Sequence, residues 1–293
     1  LSAERLHPQI IVTLDRSSSM WLRPSPQSSS RLVVAQRQLR SIMEKYRWMV
    51  RFGYVEFPIK ACEAGGCCAS QVAYPQQPNT LSAIDGIWSC RNLPSSCSET
   101  TDDAPVAQAL KRVRNHFEMQ SSSSESRYVL LLTDGEPSCA ANVAKNDCAL
   151  AATEASMIAA LNAQLRVIGL SAELQTSQCL AEIAAKGVPT NATGMPSTAP
   201  SIATDGDKLY DQLNNWLSPI SRESCSFRFS TARESPTVKV FYDRILVPRD
   251  TNRKNGWDLD NPTQPTRITL YGDACDEVRQ EGDHDLDFEI CEP

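Results

Sequence analysis

Asp15, Ser17 and Ser19 stand at alternate positions directly after the run Gln9-Ile10-Ile11-Val12-Thr13-Leu14, and Asp134 follows Tyr128-Val129-Leu130-Leu131-Leu132-Thr133. One carboxylate and two hydroxyls ending one apolar run, with a second carboxylate ending another, make a set of hard oxygen donors. Such donors suit Mg²⁺, Mn²⁺ or Ca²⁺ rather than zinc or copper. The first run is apolar and β-branched enough to be a strand buried on both faces, and the second ends in the same manner. Open α/β sheets bind their ligands beyond the carboxyl ends of the strands. A serine-rich turn after a single strand is a weak signal, because such residues usually cap the next helix. Two such strand ends, far apart in sequence, are a stronger one.

The elements that must position these donors alternate in type. Leu32, Val33, Ala35, Leu39, Ile42 and Met43 fall at helical spacing within 31–46, after a Ser/Pro loop at 23–30. A second strand is predicted over 50–57, and Pro105 opens a helix whose apolar face holds Val106, Ala109, Leu110, Val113 and Phe117. A polar linker at 121–124 precedes the Asp134 strand. Then come a helix over 149–164, a strand over 165–170, a helix over 178–186 stopped by Gly187, and a last helix over 207–217. Alternating strands and helices specify a doubly wound, Rossmann-like parallel sheet. The stretch from Cys62 to Cys97 breaks this rhythm with five cysteines and is expected to be a disulfide-stapled insertion at about 58–100.

Asp-x-Ser-x-Ser after one strand and Thr133-Asp134-Gly135 after another resemble the metal-ion-dependent adhesion site of the von Willebrand factor type A family. The resemblance covers the first three quarters of the chain. It implies a type A domain over 1–222 and a divalent cation, Mg²⁺ or else Ca²⁺ or Mn²⁺, held by Asp15, Ser17, Ser19 and Asp134. Family members usually carry a threonine before the proline of the middle helix, where this chain has Ala104-Pro105. A neighbour, Thr100, Thr101, Asp102 or Asp103, would then supply the missing oxygen, Thr101 and Asp103 being the named candidates. Three carboxylates with Asp103 would favour a calcium-like structural site; no replacement would leave a weak or metal-free one. Trp21 and Glu136 are expected on the rim.

After Cys225 the pattern becomes β-rich: 226–229, 238–242 paired with 245–247 through Asp243-Arg244, a tight turn at Asn255-Gly256-Trp257, and 267–271. This 223–293 module resembles the C-terminal extension of secreted bacterial type A proteins, notably those of gliding myxobacteria, in which a gliding-motility adhesin is the nearest functional analogue. It is too small to rely on its own core without staples and is expected to pack on the type A domain. Asp283, Asp285 and Asp287 alternate along one solvated strand face rather than forming a calcium site, and Asp258 and Asp260 have the same status in a turn.

Eleven cysteines with no CxxC pair, and only three histidines, point to disulfides in an oxidising compartment rather than to zinc. The odd count leaves one thiol free or paired elsewhere. The net charge of −6 is interspersed, so nothing points to nucleic acid. No signal peptide, lipidation motif or long apolar run is present. The chain, beginning at Leu1, is expected to be a trimmed part of an exported protein on the bacterial surface, held at the outer membrane through residues outside it. Asn191-Ala192-Thr193 would accept a glycan only in a eukaryote. No nucleophile elbow, phosphate loop or Cys–His pair invites catalysis, so an enzyme is not expected. The sequence supports an adhesion module that binds a protein or an acidic glycan through the ion. The alternative is a structural scaffold of an exported complex with a structural or degenerate metal site.

Overall fold

The alternation of apolar strands and amphipathic helices is realised as a parallel sheet covered on both faces. The computed structural model describes residues 3–23, 29–59, 68–73, 102–120, 125–139, 147–190, 198–229, 237–280 and 286–291. Its elements are β1 (Ala3–Arg5), β2 (Gln9–Asp15), α1 (Arg31–Tyr46), β3 (Arg51–Phe57), α2 (Val106–Met119), β4 (Arg127–Thr133), α3 (Asp147–Ala160), β5 (Ala163–Gly169), α4 (Gln178–Lys186), β6 (Ser201–Ile202) and α5 (Gly206–Ser221). There follow β7 (Ser226–Phe229), β8 (Thr237–Tyr242), β9 (Ile245–Val247), β10 (Gly256–Leu259), β11 (Arg267–Tyr271), α6 (Asp273–Val278) and β12 (Leu286–Cys291). They form two compact units, Gln9–Arg47 with Arg51–Trp216, and Leu1–Pro8 with Trp48–Val50 and Leu217–Pro293.

In the first unit the strand order is β3-β2-β4-β5-β6, every pair parallel. Side chains alternate between faces along a strand. One face carries Ile11, Val55, Phe57, Val129, Leu131, Leu165 and Val167, packed with the apolar sides of α2, α3 and α4. Tyr128 lies on the opposite face and meets the Trp216 ring of α5 edge-on. α1 lies beside α5 there, joined to it by Lys45 and Tyr46, which both donate to Asn214 Oδ1. With both faces covered, all seven residues of β2 are buried, as its unbroken apolar run requires. Beyond β3, residues 68–73 run antiparallel: Ala73 and Tyr54 exchange both backbone hydrogen bonds, and Ser70 N–H donates to Glu56 O. The rest of the Cys-rich insertion, and the Asn191 to Thr193 triplet, lie outside the described residues. A Cys148–Cys179 disulfide ties α3 to α4, and Cys68 and Cys139 are also in disulfides.

The second unit holds two antiparallel sheets, β1-β7-β11-β10 and β12-β8-β9. Phe227, Phe229, Val240, Trp257, Ile268, Leu270 and Phe288 form its core, with the Cys225–Cys275 disulfide inside it. The Cys291 side chain lies outside the described residues. β1 pairs with β7, so the N-terminal residues group with this unit, whereas the division at 222/223 assigned them to the type A domain. Residues 273–278 form α6, entered through Gly272 at φ +57°. Asp258 is buried between Arg249 and Arg253, and Asp260 accepts from the N–H groups of Asn261, Thr266 and Arg267. Both carboxylates are thus satisfied internally. Asp287 is exposed on β12 beside buried Phe288; Asp283 and Asp285 lie outside the described residues.

The predicted helix over 149–164 ends earlier, at Ala160. Asn162, at φ +57°, turns the chain, and Ala163 and Gln164 already belong to β5. Gly187 stops α4 for a reason other than a left-handed backbone. A Cβ there would sit 2.5 Å from Leu165 Cβ, while Gly187 O accepts from Leu165 N–H at 2.8 Å. Gly187→Ala is therefore expected to cost about 1–3 kcal/mol in urea unfolding, as an overpacked contact does. Gly135→Ala, where an added Cβ meets nothing within 4 Å, should stay within about 0.5 kcal/mol of the parent. Equal losses at the two positions would contradict this packing.

Candidate metal centre

β2 and β4 are adjacent and in register, Leu14 opposite Leu132, so their two acidic ends emerge side by side. β2 connects onward to β3 on one flank, whereas β4 lies on the other. The crevice between β2 and β4 is therefore where the sheet order reverses, the usual ligand position of such a sheet.

The first loop folds back at once. Ser17 N–H donates to Asp15 Oδ1 at 2.8 Å, and Ser18 to Trp21 form a single 3₁₀ turn closed by Met20 N–H on Ser17 O. Met20 is fully buried beneath it, which pins the turn to the sheet end. Ser17 Oγ and Ser19 Oγ lie 3.0 Å apart, and Ser19 Oγ donates to Asp134 Oδ1 at 2.7 Å. The structure thus brings Asp15, Ser17, Ser19 and Asp134 into one hydrogen-bonded chain. Because Ser19 spends its proton on Asp134, the Ser17 hydroxyl is the donor between the two serines. That leaves a lone pair on each serine oxygen.

Two contributors, Thr133 and Arg31, were not singled out from sequence, and a third, Asp102, stood among the middle-loop candidates. Thr133 Oγ1 donates to Asp15 Oδ2 at 2.5 Å; its position beside Asp134 in Thr-Asp-Gly was the available signal. Arg31 Nη1 pairs with Asp134 Oδ2 at 2.7 Å; an arginine at the start of a helix carries no such signal. Asp102 accepts from the Ser18 hydroxyl, so the middle loop reaches the first loop through a carboxylate.

Ala104 is buried, with its N–H donating to Ser138 Oγ at 2.9 Å and its C=O accepting from Ser138 N–H at 3.0 Å. That position offers no hydroxyl. Thr101 lies outside the described residues, and Asp103 is half-buried beside Ala104. Among the described residues no three His, Cys, Asp or Glu side chains gather as a metal cluster, so an ion here would rest on two carboxylates and hydroxyls. Trp21, expected to be exposed, is half-buried, and its indole N–H is buried without a partner. Glu136 is exposed, and its Oε1 accepts from the hydroxyl of Ser177, the residue that caps α4.

Asp15 is a fully buried carboxylate held by neutral dipoles. Burial pushes its carboxyl up from 3.8 to about 6, against the Thr133 and Ser17 hydrogen bonds that favour the charged form, and nearby Asp134 adds to the rise. A buried carboxylate facing hydroxyl lone pairs fits a hard divalent ion, which would supply the charge compensation that the dipoles do not.

No family model matches the chain, and no curated protein matches it. Solved structures do. The PilB minor pilin from Streptococcus sanguinis is 12% identical, with a TM-score of 0.51 over 74% of this chain and 62% of its own. The open conformation of the pilus adhesin SpaC from Lactobacillus rhamnosus GG is 12% identical, with a TM-score of 0.53 over 92% of this chain and 38% of its own. A von Willebrand factor type A protein from Catenulispora acidiphila is 14% identical, at 0.48, over 98% and 59%. This chain spans less than two thirds of each of these proteins. The first unit has a doubly wound, Rossmann-like α/β fold. At such identities the likeness is one of fold.

The raised Asp15 carboxyl makes metal-free stability pH-dependent. A group that binds its proton more tightly when folded stabilises below its unfolded value, and that stability is lost as pH rises through the folded value. In chelator, Asp15 is expected to remove about 3 kcal/mol between pH ~4 and ~7. Asp15→Asn should lack that component, seen as a flatter unfolding free energy against pH than the parent. Parallel curves for the two proteins would show that Asp15 is not held in this environment.

Proposed function

We propose that this chain is a non-enzymatic adhesion module of an exported protein on a bacterial outer surface. It would bind an acidic group of a protein or glycan partner through a divalent cation at Asp15, Ser17, Ser19 and Asp134. The observation that carries this reading is the buried Asp15 carboxylate, hydrogen-bonded in one chain with both serines and Asp134 at the switch point of the sheet. When bound, Mg²⁺, Mn²⁺ or Ca²⁺ would offer an open coordination position to a partner's carboxylate. Asp15 supplies charge from below, the serine hydroxyls present their lone pairs, and Thr133 orients the Asp15 carboxylate. The fold is shared with a pilus adhesin and a minor pilin, which supports a surface role. The disulfides support export.

A scaffold reading, in which the site only locks the fold, is favoured by one observation: Ala104 stands where a third hydroxyl would complete the shell.

The two readings separate experimentally. Titration calorimetry with Mg²⁺, Mn²⁺ and Ca²⁺ is expected to show one site in the parent and none in Asp15→Ala. Binding to immobilised hyaluronate and to immobilised denatured protein, followed by surface plasmon resonance, should fall at least tenfold in Asp15→Ala and in chelator. Ion binding lost without loss of attachment would move the adhesive surface elsewhere.

A further inference from the structure

Both oxygens of Asp134 are engaged. Oδ1 accepts from Ser19, Oδ2 accepts from Arg31, and the side chain has 0% exposure. Arg31 is set in place by the fold. It is the first residue of α1, behind the Ser30 cap whose hydroxyl accepts from Val33 N–H. Its own N–H donates to Leu22 O at the end of the 3₁₀ turn. The backbone therefore locks the start of the helix to the first ligand loop, and the side chain reaches across to the last one. The guanidinium holds Asp134 through Nη1, its Nε is buried without a partner, and the side chain keeps 19% of its surface open. It is thus a cation with donor capacity to spare, touching one of the two carboxylates that an ion would share.

Charge counting gives this arrangement a consequence. Asp15 and Asp134 bring two negative charges to the site and Arg31 returns one. A divalent ion would leave the two carboxylates neutral without Arg31, and positive with it. Like charges at short range in a poorly screened crevice repel, while an anion arriving at the rim is attracted to both cations.

We propose that Arg31 is a specificity-determining residue of this site. It is a built-in cation that lowers the affinity for the divalent ion and raises the loaded site's affinity for an anionic ligand group. The proposal rests on the metal-site reading above and adds to it the residue that sets the ligand's charge. A carboxylate accepted by the ion would also meet a guanidinium able to donate a second hydrogen bond, so neutral polar ligands are disfavoured.

The test uses Mn²⁺ and acetate on the parent, Arg31→Met, Arg31→Lys and Asp15→Ala, each first checked for a parent-like melting transition in chelator. Mn²⁺ affinity by calorimetry is expected to rise about tenfold in Arg31→Met and to stay near the parent in Arg31→Lys, since only the first removes the charge. Paramagnetic broadening of the acetate methyl resonance by the Mn²⁺-loaded protein should fall several-fold in Arg31→Met. Unchanged or weaker Mn²⁺ binding in Arg31→Met, or an equal change in Met and Lys variants, overturns the proposal while the metal-site reading stands. Mn²⁺ binding that Asp15→Ala does not reduce, or no binding in either the parent or Arg31→Met, removes the metal-site reading and the proposal together. Binding that appears in Arg31→Met alone supports both.

Discussion

Asp15 sits at the end of a strand that is enclosed on both faces and hydrogen-bonded on both edges, and a carboxylate in that position has few ways to exist. It can be neutral, as burial encourages, or it can be charged and gather dipoles around it. The surrounding structure follows the second course. Ser17 turns its backbone N–H onto one oxygen, Thr133 turns its hydroxyl onto the other, and the 3₁₀ turn at Ser18–Trp21 is the path the chain takes to let that happen. The neighbouring carboxylate, Asp134, is handled differently, with a guanidinium on one oxygen. Two acidic strand ends emerge together and are compensated by unlike means, and that asymmetry gives the crevice its chemistry.

The sheet makes this arrangement rigid. β2 and β4 are held in register over their length by parallel hydrogen bonding and by packing from both helical layers, so neither strand end can withdraw from the other without disturbing the core. Close-packed interiors transmit such constraints well. The middle loop is tied in by backbone rather than by a ligand, through the reciprocal hydrogen bonds of Ala104 and Ser138. The loop at Ala104 is therefore held in place although its side chain offers no oxygen to the site.

The second unit stands on a different principle. Its core is small and aromatic, and a disulfide runs through it, as expected where burial alone supplies limited stability. Its acidic residues serve the backbone. Asp250 accepts from the loop N–H groups of Asn252, Lys254 and Asn255, and Asp258 is clamped by two arginines. Carboxylates that look similar in sequence thus have opposite roles in the two units, depending on whether internal donors reach them.

Local sequence determined a good deal. Period and apolar runs place β2, β4, β11, α1 and α2 close to where they stand, because these elements bury continuous or regularly spaced side chains, and that pattern is written along the chain. The pairing of Asp15, Ser17 and Ser19 with Asp134 was legible for the same reason, since each motif ends a strand that can only be buried. Elements that depend on a distant partner were not legible. β1 is three residues long and exists as an edge of β7, β6 is two residues long, and α6 follows a glycine whose conformation the neighbouring backbone dictates. Gly187 was read as a helix stop, yet the reason for glycine is the approach of Leu165. Arg31 was read as the first residue of a helix, and only the tertiary structure carries its guanidinium to Asp134. Sequence order encodes what a segment must bury; which charge meets which across the crevice is decided when the strands and loops are brought together.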